Sequence, residues 1–126
     1  MYLWQIKTLF QVGSLNGTLS TYDLLVTFTA SMMTSNNNIP STLLSHSLSD
    51  YKKILLVLYF NNQIHSSYSV PIELFIDNGH AMAREVGSTQ INLDCTINYV
   101  DDTHLSAYYG VTGSFTTAVR VYGTNV

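Results

Sequence analysis

Ile91-Asn92-Leu93-Asp94-Cys95-Thr96-Ile97-Asn98-Tyr99 alternates apolar and polar side chains without a break. Successive side chains on a β-strand point to opposite faces, so this stretch puts Ile91, Leu93, Cys95, Ile97 and Tyr99 on one side. Asn92, Asp94, Thr96 and Asn98 fall on the other. The same period of two recurs on both sides of it. Leu105, Ala107, Tyr109 and Val111 oppose His104, Ser106 and Tyr108, and Phe115, Thr117, Val119 and Val121 oppose Thr116, Ala118 and Arg120. Upstream, Tyr22, Leu24, Val26, Phe28 and Ala30 form an apolar row, with Leu25 the one lapse on the opposite side. Ile54 to Phe60 is apolar at every position, which predicts a central strand covered on both faces.

Turn residues separate these runs at intervals of about ten residues, the rhythm of an antiparallel sandwich or barrel. They are Gly13 to Gly17, Asn61-Asn62, Asp77-Asn78-Gly79 (read as a hairpin turn), Gly87-Ser88, Asp101-Asp102 and Gly113-Ser114. The pattern predicts strands near 3–11, 22–31, 53–60, 64–70, 72–76, 80–86, 89–99, 104–111 and 115–122. Residues 32–49 are left as a long irregular loop, with a short helical turn around 42–46. Two segments echo each other: Tyr22 precedes an apolar strand and Pro40, and Tyr51 precedes another and Pro71. The physical reading is a repeated corner, in which a tyrosine opens a strand and a later proline marks an edge that needs no amide donor. The expected fold is all-β: an antiparallel sandwich of jelly-roll type with about eight or nine strands, one domain over residues 1–126.

Composition agrees. Charged residues are 10% of the 126-residue chain, where about 25% is usual. Ala, Glu, Lys and Arg are scarce, while Ser, Thr, Asn, Tyr and Phe abound, which disfavours helix and favours a pleated, half-buried surface. The net charge is −3, and the basic residues form no stripe, so nucleic-acid binding through phosphates is not expected. There is no polybasic patch for an anionic membrane, no apolar run of spanning length and no leader-like pattern, so membrane insertion is not expected. The single cysteine excludes an internal disulfide and a cysteine-rich zinc site. A surface of hydroxyls and amides repels itself weakly, which suits a subunit of an assembly.

No constellation demands a particular chemistry. Asp101, Asp102 and His104 could supply metal ligands, but adjacent aspartates before a threonine are also an ordinary tight turn. Asp77 and His80 bracket a turn in the same way. Cys95 sits on the apolar face of its strand, where a reactive thiolate is not expected. No nucleophile elbow and no phosphate-cradling glycine loop occurs. The reading is therefore of a chain that is not an enzyme, with no catalytic residues, no metal and no cofactor.

Aromatic and amide side chains remain as candidates for contact with a ligand or a partner. Tyr108 and Tyr109 are adjacent on one strand, so one of them points outward, and Tyr122 lies opposite the core face of its strand. Asn36, Asn37 and Asn38 stand in the long polar loop, the expected contact segment. Tyr59 and Tyr68 are further tyrosines that could reach the surface.

A Leu-Ser-Asp-Tyr corner (Leu48 to Tyr51) leads to the hydrophobic strand Ile54 to Phe60, an Asn-rich turn and a Val-Pro-Ile strand (Val70 to Ile72). Short alternating Ser/Thr/Tyr strands follow, ending in Val119-Arg120-Val121-Tyr122-Gly123. From about Leu19 to Val126 this order resembles the C-terminal β-sandwich domains of bacteriophage tail-fibre, head-fibre and minor virion structural proteins. The resemblance is one of pattern and composition. It implies a non-enzymatic virion protein of fibre-tip or capsid-decoration type, homotrimeric, partnered by itself and other virion proteins, and contributing to host-surface attachment through a host-surface glycan. It carries over no catalytic or binding residue. The family's fibres usually carry a long N-terminal shaft, whereas this sequence opens at Met1 on a strand-like segment, which fits either a short stand-alone protein such as a decoration or cap protein, or a fragment. The alternative from the residues alone is a stand-alone carbohydrate-binding module. A hydrolase on the same scaffold is a third reading, and it would lose activity when Asp101, Asp102 or His104 became Ala.

Overall fold

The computed structural model describes residues 21–88, 91–113 and 116–126. Eight strands form two four-stranded sheets: β1 (Asp23–Phe28), β2 (Asn38–Leu43), β3 (Lys53–Phe60), β4 (Gln63–Pro71), β5 (His80–Ser88), β6 (Ile91–Asp101), β7 (His104–Thr112) and β8 (Thr117–Thr124). One sheet runs β1-β8-β3-β4 and the other β2-β7-β6-β5, with every pairing antiparallel. The chain changes sheet between β1 and β2, β2 and β3, β4 and β5, and β7 and β8. The result is the expected all-β antiparallel sandwich. The strand predicted over 3–11 and the turn at Gly13 to Gly17 lie outside the described residues.

The inner faces are those that alternation assigned. Leu93, Cys95 and Ile97 on β6, Leu105, Ala107 and Tyr109 on β7, Val119 and Val121 on β8, and Ile54, Leu56 and Leu58 on β3 form one buried core. At one edge of the sandwich, Tyr68 on β4 donates its hydroxyl to the Arg84 carbonyl on β5, and His65 pairs with Glu85 at 3.4 Å. At the other edge, Ser45 donates from its amide to the Leu25 carbonyl at 3.0 Å and from its hydroxyl to the Leu24 carbonyl at 2.6 Å.

Five expectations are corrected. Ile72–Asn78 is an α-helix, not a strand. Pro71 stands before its first turn, Ile72 and Phe75 bury on one side at a spacing of three, and Gly79 ends it at φ 90° with its amide on the Phe75 carbonyl at 2.8 Å. Asp77-Asn78-Gly79 is thus a helix end, not a hairpin turn. The expected loop 32–49 contains β2, an edge strand whose pairing with β7 breaks register around Pro40. Its short helical turn is at Leu48–Asp50, beyond the expected 42–46, and another stands at Ala30–Met32. Finally, Pro40 and Pro71 both lie on edge strands, but β1 leads to the opposite sheet while β3 turns back on β4 in its own, so the Tyr-to-Pro echo does not mark a structural duplication.

Leu25 is explained by a bulge. Register on β8 steps from Leu24 to Val26, so Leu25 is an extra residue, and both it and Val26 are buried while Leu24 is exposed. Two pairs of asparagines take positive φ in turns: Asn36 (48°) and Asn37 (65°) between Ser35 and Asn38, and Asn61 (50°) and Asn62 (66°) between β3 and β4. Two consecutive left-handed residues make the hairpin turn whose twist matches that of its strands, and asparagine tolerates that conformation better than most residues.

Candidate functional site

The outer faces of the two sheets differ in chemistry. On β2-β7-β6-β5 the cross-strand rows run Asn38–Tyr108–Thr96–Met82, then Ser106–Asn98–His80, then Gly110–Asp94–Arg84. Tyr108, Met82 and, one row on, the exposed Val86 stand among otherwise polar side chains, and Arg84 and Asp94 pair at 3.2 Å. On β1-β8-β3-β4 the rows run Leu24–Tyr122–Leu55–Ser69, then Thr27–Arg120–Val57–Ser67, then Ala118–Tyr59–Ile64. Here the centre is apolar and aromatic. Alternation would have placed polar residues opposite the core on β3, but Leu55, Val57 and Tyr59 stand there instead.

These side chains line an open groove of about 260 Å³, bordered by Tyr22, Leu55, Val57, Tyr59, Ile64 and Tyr122. Ile64 is 66% exposed and Tyr22 49%, whereas Val57 in the floor is buried, so the groove meets solvent mainly at these two side chains. The rim holds one compact polar cluster. Arg120 lies over the Tyr59 ring, its Cζ 4.5 Å from the centroid, and its Nη1 is 3.4 Å from the Tyr59 hydroxyl. The Tyr59 hydroxyl also bonds to that of Tyr122, which raises the pKa of Tyr59 and, with Arg120 beside it, lowers that of Tyr122. The guanidinium charge is thereby engaged within the rim, by ring face and hydroxyls together. The strand Ile54 to Phe60 is central, as expected, and on its outer face Val57 is buried while Leu55 and Tyr59 are half-buried under the groove.

The tyrosine and asparagine candidates divide. Tyr122 is in the groove, with Tyr59, which the sequence pointed to only in passing. Tyr108 is exposed on the opposite sheet, in register with Asn38, so Asn38 and Tyr108 do come together. Asn36 and Asn37 lie in the adjoining turn, where their backbone conformation accounts for them, and the Asn37 carbonyl takes the Tyr109 amide at 2.7 Å. Tyr109 is corrected. It is fully buried, its hydroxyl 2.7 Å from that of Thr117 across the sandwich, and burial pushes its pKa up to about 12. The core holds this ring, so it is not a surface contact.

The acidic cluster is a turn. Asp101 accepts from the Thr103 amide at 2.9 Å and sits 2.9 Å from His104 Nδ1, and these contacts lower its pKa. Asp102 turns the other way and accepts from the Ser47 hydroxyl, which lowers its pKa. No grouping of three metal-ligating side chains occurs among the described residues. Cys95 is buried on the core face, and burial pushes its thiol up to about 12, so it is protonated at neutral pH. Among the described residues no helix is long and apolar enough to cross a membrane. The groove was missed in the sequence because a strand apolar on both faces looks covered on both. The residues that give it away are Tyr122 and Ile64, apolar at outward positions of the two strands beside β3.

The aromatic groove on one sheet is thus the surface feature with the most distinct chemistry. Comparison with family models, with curated proteins and with solved structures finds no match to this chain.

Proposed function

We propose that this chain is a non-enzymatic structural module of a virion, of the bacteriophage fibre-tip or capsid-decoration type, that meets a protein neighbour through the outer face of its β1-β8-β3-β4 sheet and contributes to host-surface attachment. The observation that supports this is the groove itself. It is aromatic at its rim, apolar in its floor, and carries one arginine already engaged by its neighbours. The cores of protein interfaces have this composition, rich in Tyr and Arg and poor in Lys, Glu and Asp. The low charge of the whole chain points the same way. The virion setting and the trimeric state rest on the sequence resemblance.

Light scattering on a sizing column tests the assembly. The expected result is a mass of several chains, with closed cyclic symmetry, that falls to one chain when a charge enters the groove in Ile64→Glu. A second reading, a carbohydrate-binding module, is favoured by one observation: three tyrosine rings border one groove, and sugar rings stack on such faces. A saturable change in tyrosine fluorescence on titration with glycans, lost in Tyr122→Ala, supports that reading over the first.

A further inference from the structure

The groove needs an occupant, and the sequence ahead of the described residues has matching chemistry. Between Met1 and Val12, Tyr2, Trp4, Ile6, Phe10 and Val12 recur at a spacing of two, broken only by Thr8. Gln5, Lys7 and Gln11 fall on the alternate positions together with Leu3 and Leu9, so the one charged side chain lies off the apolar row. This stretch holds the chain's single tryptophan. The described chain starts beside the groove: Thr21 gives its carbonyl to the Thr124 hydroxyl at 2.7 Å, and the next residue, Tyr22, borders the groove.

Residues 13–20, Gly-Ser-Leu-Asn-Gly-Thr-Leu-Ser, join the two. Eight residues reach at most about 27 Å, while a four-stranded sheet measures about 15 Å between its outermost strand axes. The connection is therefore long enough to carry the apolar stretch beyond its own sheet. A connection of that reach can deliver the stretch to a neighbouring copy as well as to its own sheet.

We propose that the groove on the β1-β8-β3-β4 sheet receives residues 2–12 of a second copy of this chain. The inference rests on the assembly reading above and names its partner. Exchange of an identical element between copies is an easy route to closed oligomers. Its chemistry here is apolar side chains at alternate positions entering a groove lined by Leu55, Val57, Tyr59 and Ile64.

The test uses three full-length proteins: the unaltered chain, a segment variant carrying Trp4→Glu and Phe10→Glu, and a groove variant carrying Ile64→Glu. Ile64 is exposed near a hairpin end of an edge strand, so the fold tolerates the change, and Ile64→Lys serves as a second groove variant. Light scattering gives the mass, and Trp4 emission reports its surroundings. The expected result is an oligomer with blue-shifted Trp4 emission for the unaltered chain, and single-chain masses for both variants. A mixture of the two variants then forms a dimer, because one supplies an intact groove and the other an intact segment. An oligomer that survives in both variants overturns the proposal and leaves the assembly reading standing through another surface. A single-chain mass for the unaltered protein with shielded Trp4 overturns it in favour of a segment held by its own chain. A single-chain mass with exposed Trp4 overturns both the proposal and the assembly reading.

Discussion

Gly123 shows how much one side chain can decide. It lies on the inner face of β8 opposite Ile54, and a Cβ there would stand 2.5 Å from the Tyr51 ring. Tyr51 is held in place by its hydroxyl, which donates to Asp23 at 2.7 Å. The ring cannot retreat without breaking that bond, so Gly123→Ala is expected to cost about 1–3 kcal/mol in chemical denaturation, and less when Tyr51 is Ala. Tyr109→Phe removes the buried bond to Thr117 and leaves that hydroxyl without its partner, for an expected loss of about 1–2 kcal/mol. Both tyrosines also set the alkaline limit. Burial, with the Asp23 bond for Tyr51, raises each pKa from 10.0 to about 12. The folded state thus favours the neutral phenols. Their contribution is intact below pH 10 and is lost as pH rises through the interval from about 10 to 12. Denaturation midpoints measured across that interval should fall, and fall less steeply in Tyr51→Phe and Tyr109→Phe.

Among the elements, the helix Ile72–Asn78 depends on its ending. Gly79 has open space where a Cβ would go but sits at φ 90°, so Gly79→Ala is expected to cost about 1 kcal/mol through backbone strain alone, measurable as a shifted urea midpoint with unchanged slope. The helix was hidden because Ile72, Leu74 and Ile76 also read as a strand face. Its legible signs were Pro71 before it, Gly79 after it and the three-residue spacing of Ile72 and Phe75. The long strands were legible because a period of two with one buried face leaves a single register. β2 was not, since Pro40 and its polar neighbours erase that period, and its strand character comes from pairing with β7. The Asn61-Asn62 turn was legible from residue type, while Leu25 stood out as a lapse whose cause, a bulge, exists only in the pairing with β8. Tyr122 was legible as an outward tyrosine. That it meets Tyr59 and Arg120 was not, because β3 and β8 are far apart in sequence and only the sheet order joins them.

For the whole molecule, the decisive expectation is oligomeric state. Ile64→Glu puts a carboxylate at the exposed side of the groove and should reduce the assembly to single chains, read by light scattering, with the sandwich intact by circular dichroism. The opposed outer faces carry a further consequence. One side of the sandwich carries amides, hydroxyls and a paired Arg84–Asp94 around Tyr108, Met82 and Val86, and the other a centre of tyrosine, leucine, valine and isoleucine edged by serine and Arg120. Such a body has a wettable side and an oily side some two sheets apart. Spread on a hydrophobic film it should settle in one orientation, with Tyr108 and Met82 outward and the aromatic groove against the film. A layer of these molecules would then turn a non-wetting surface into a hydrophilic one.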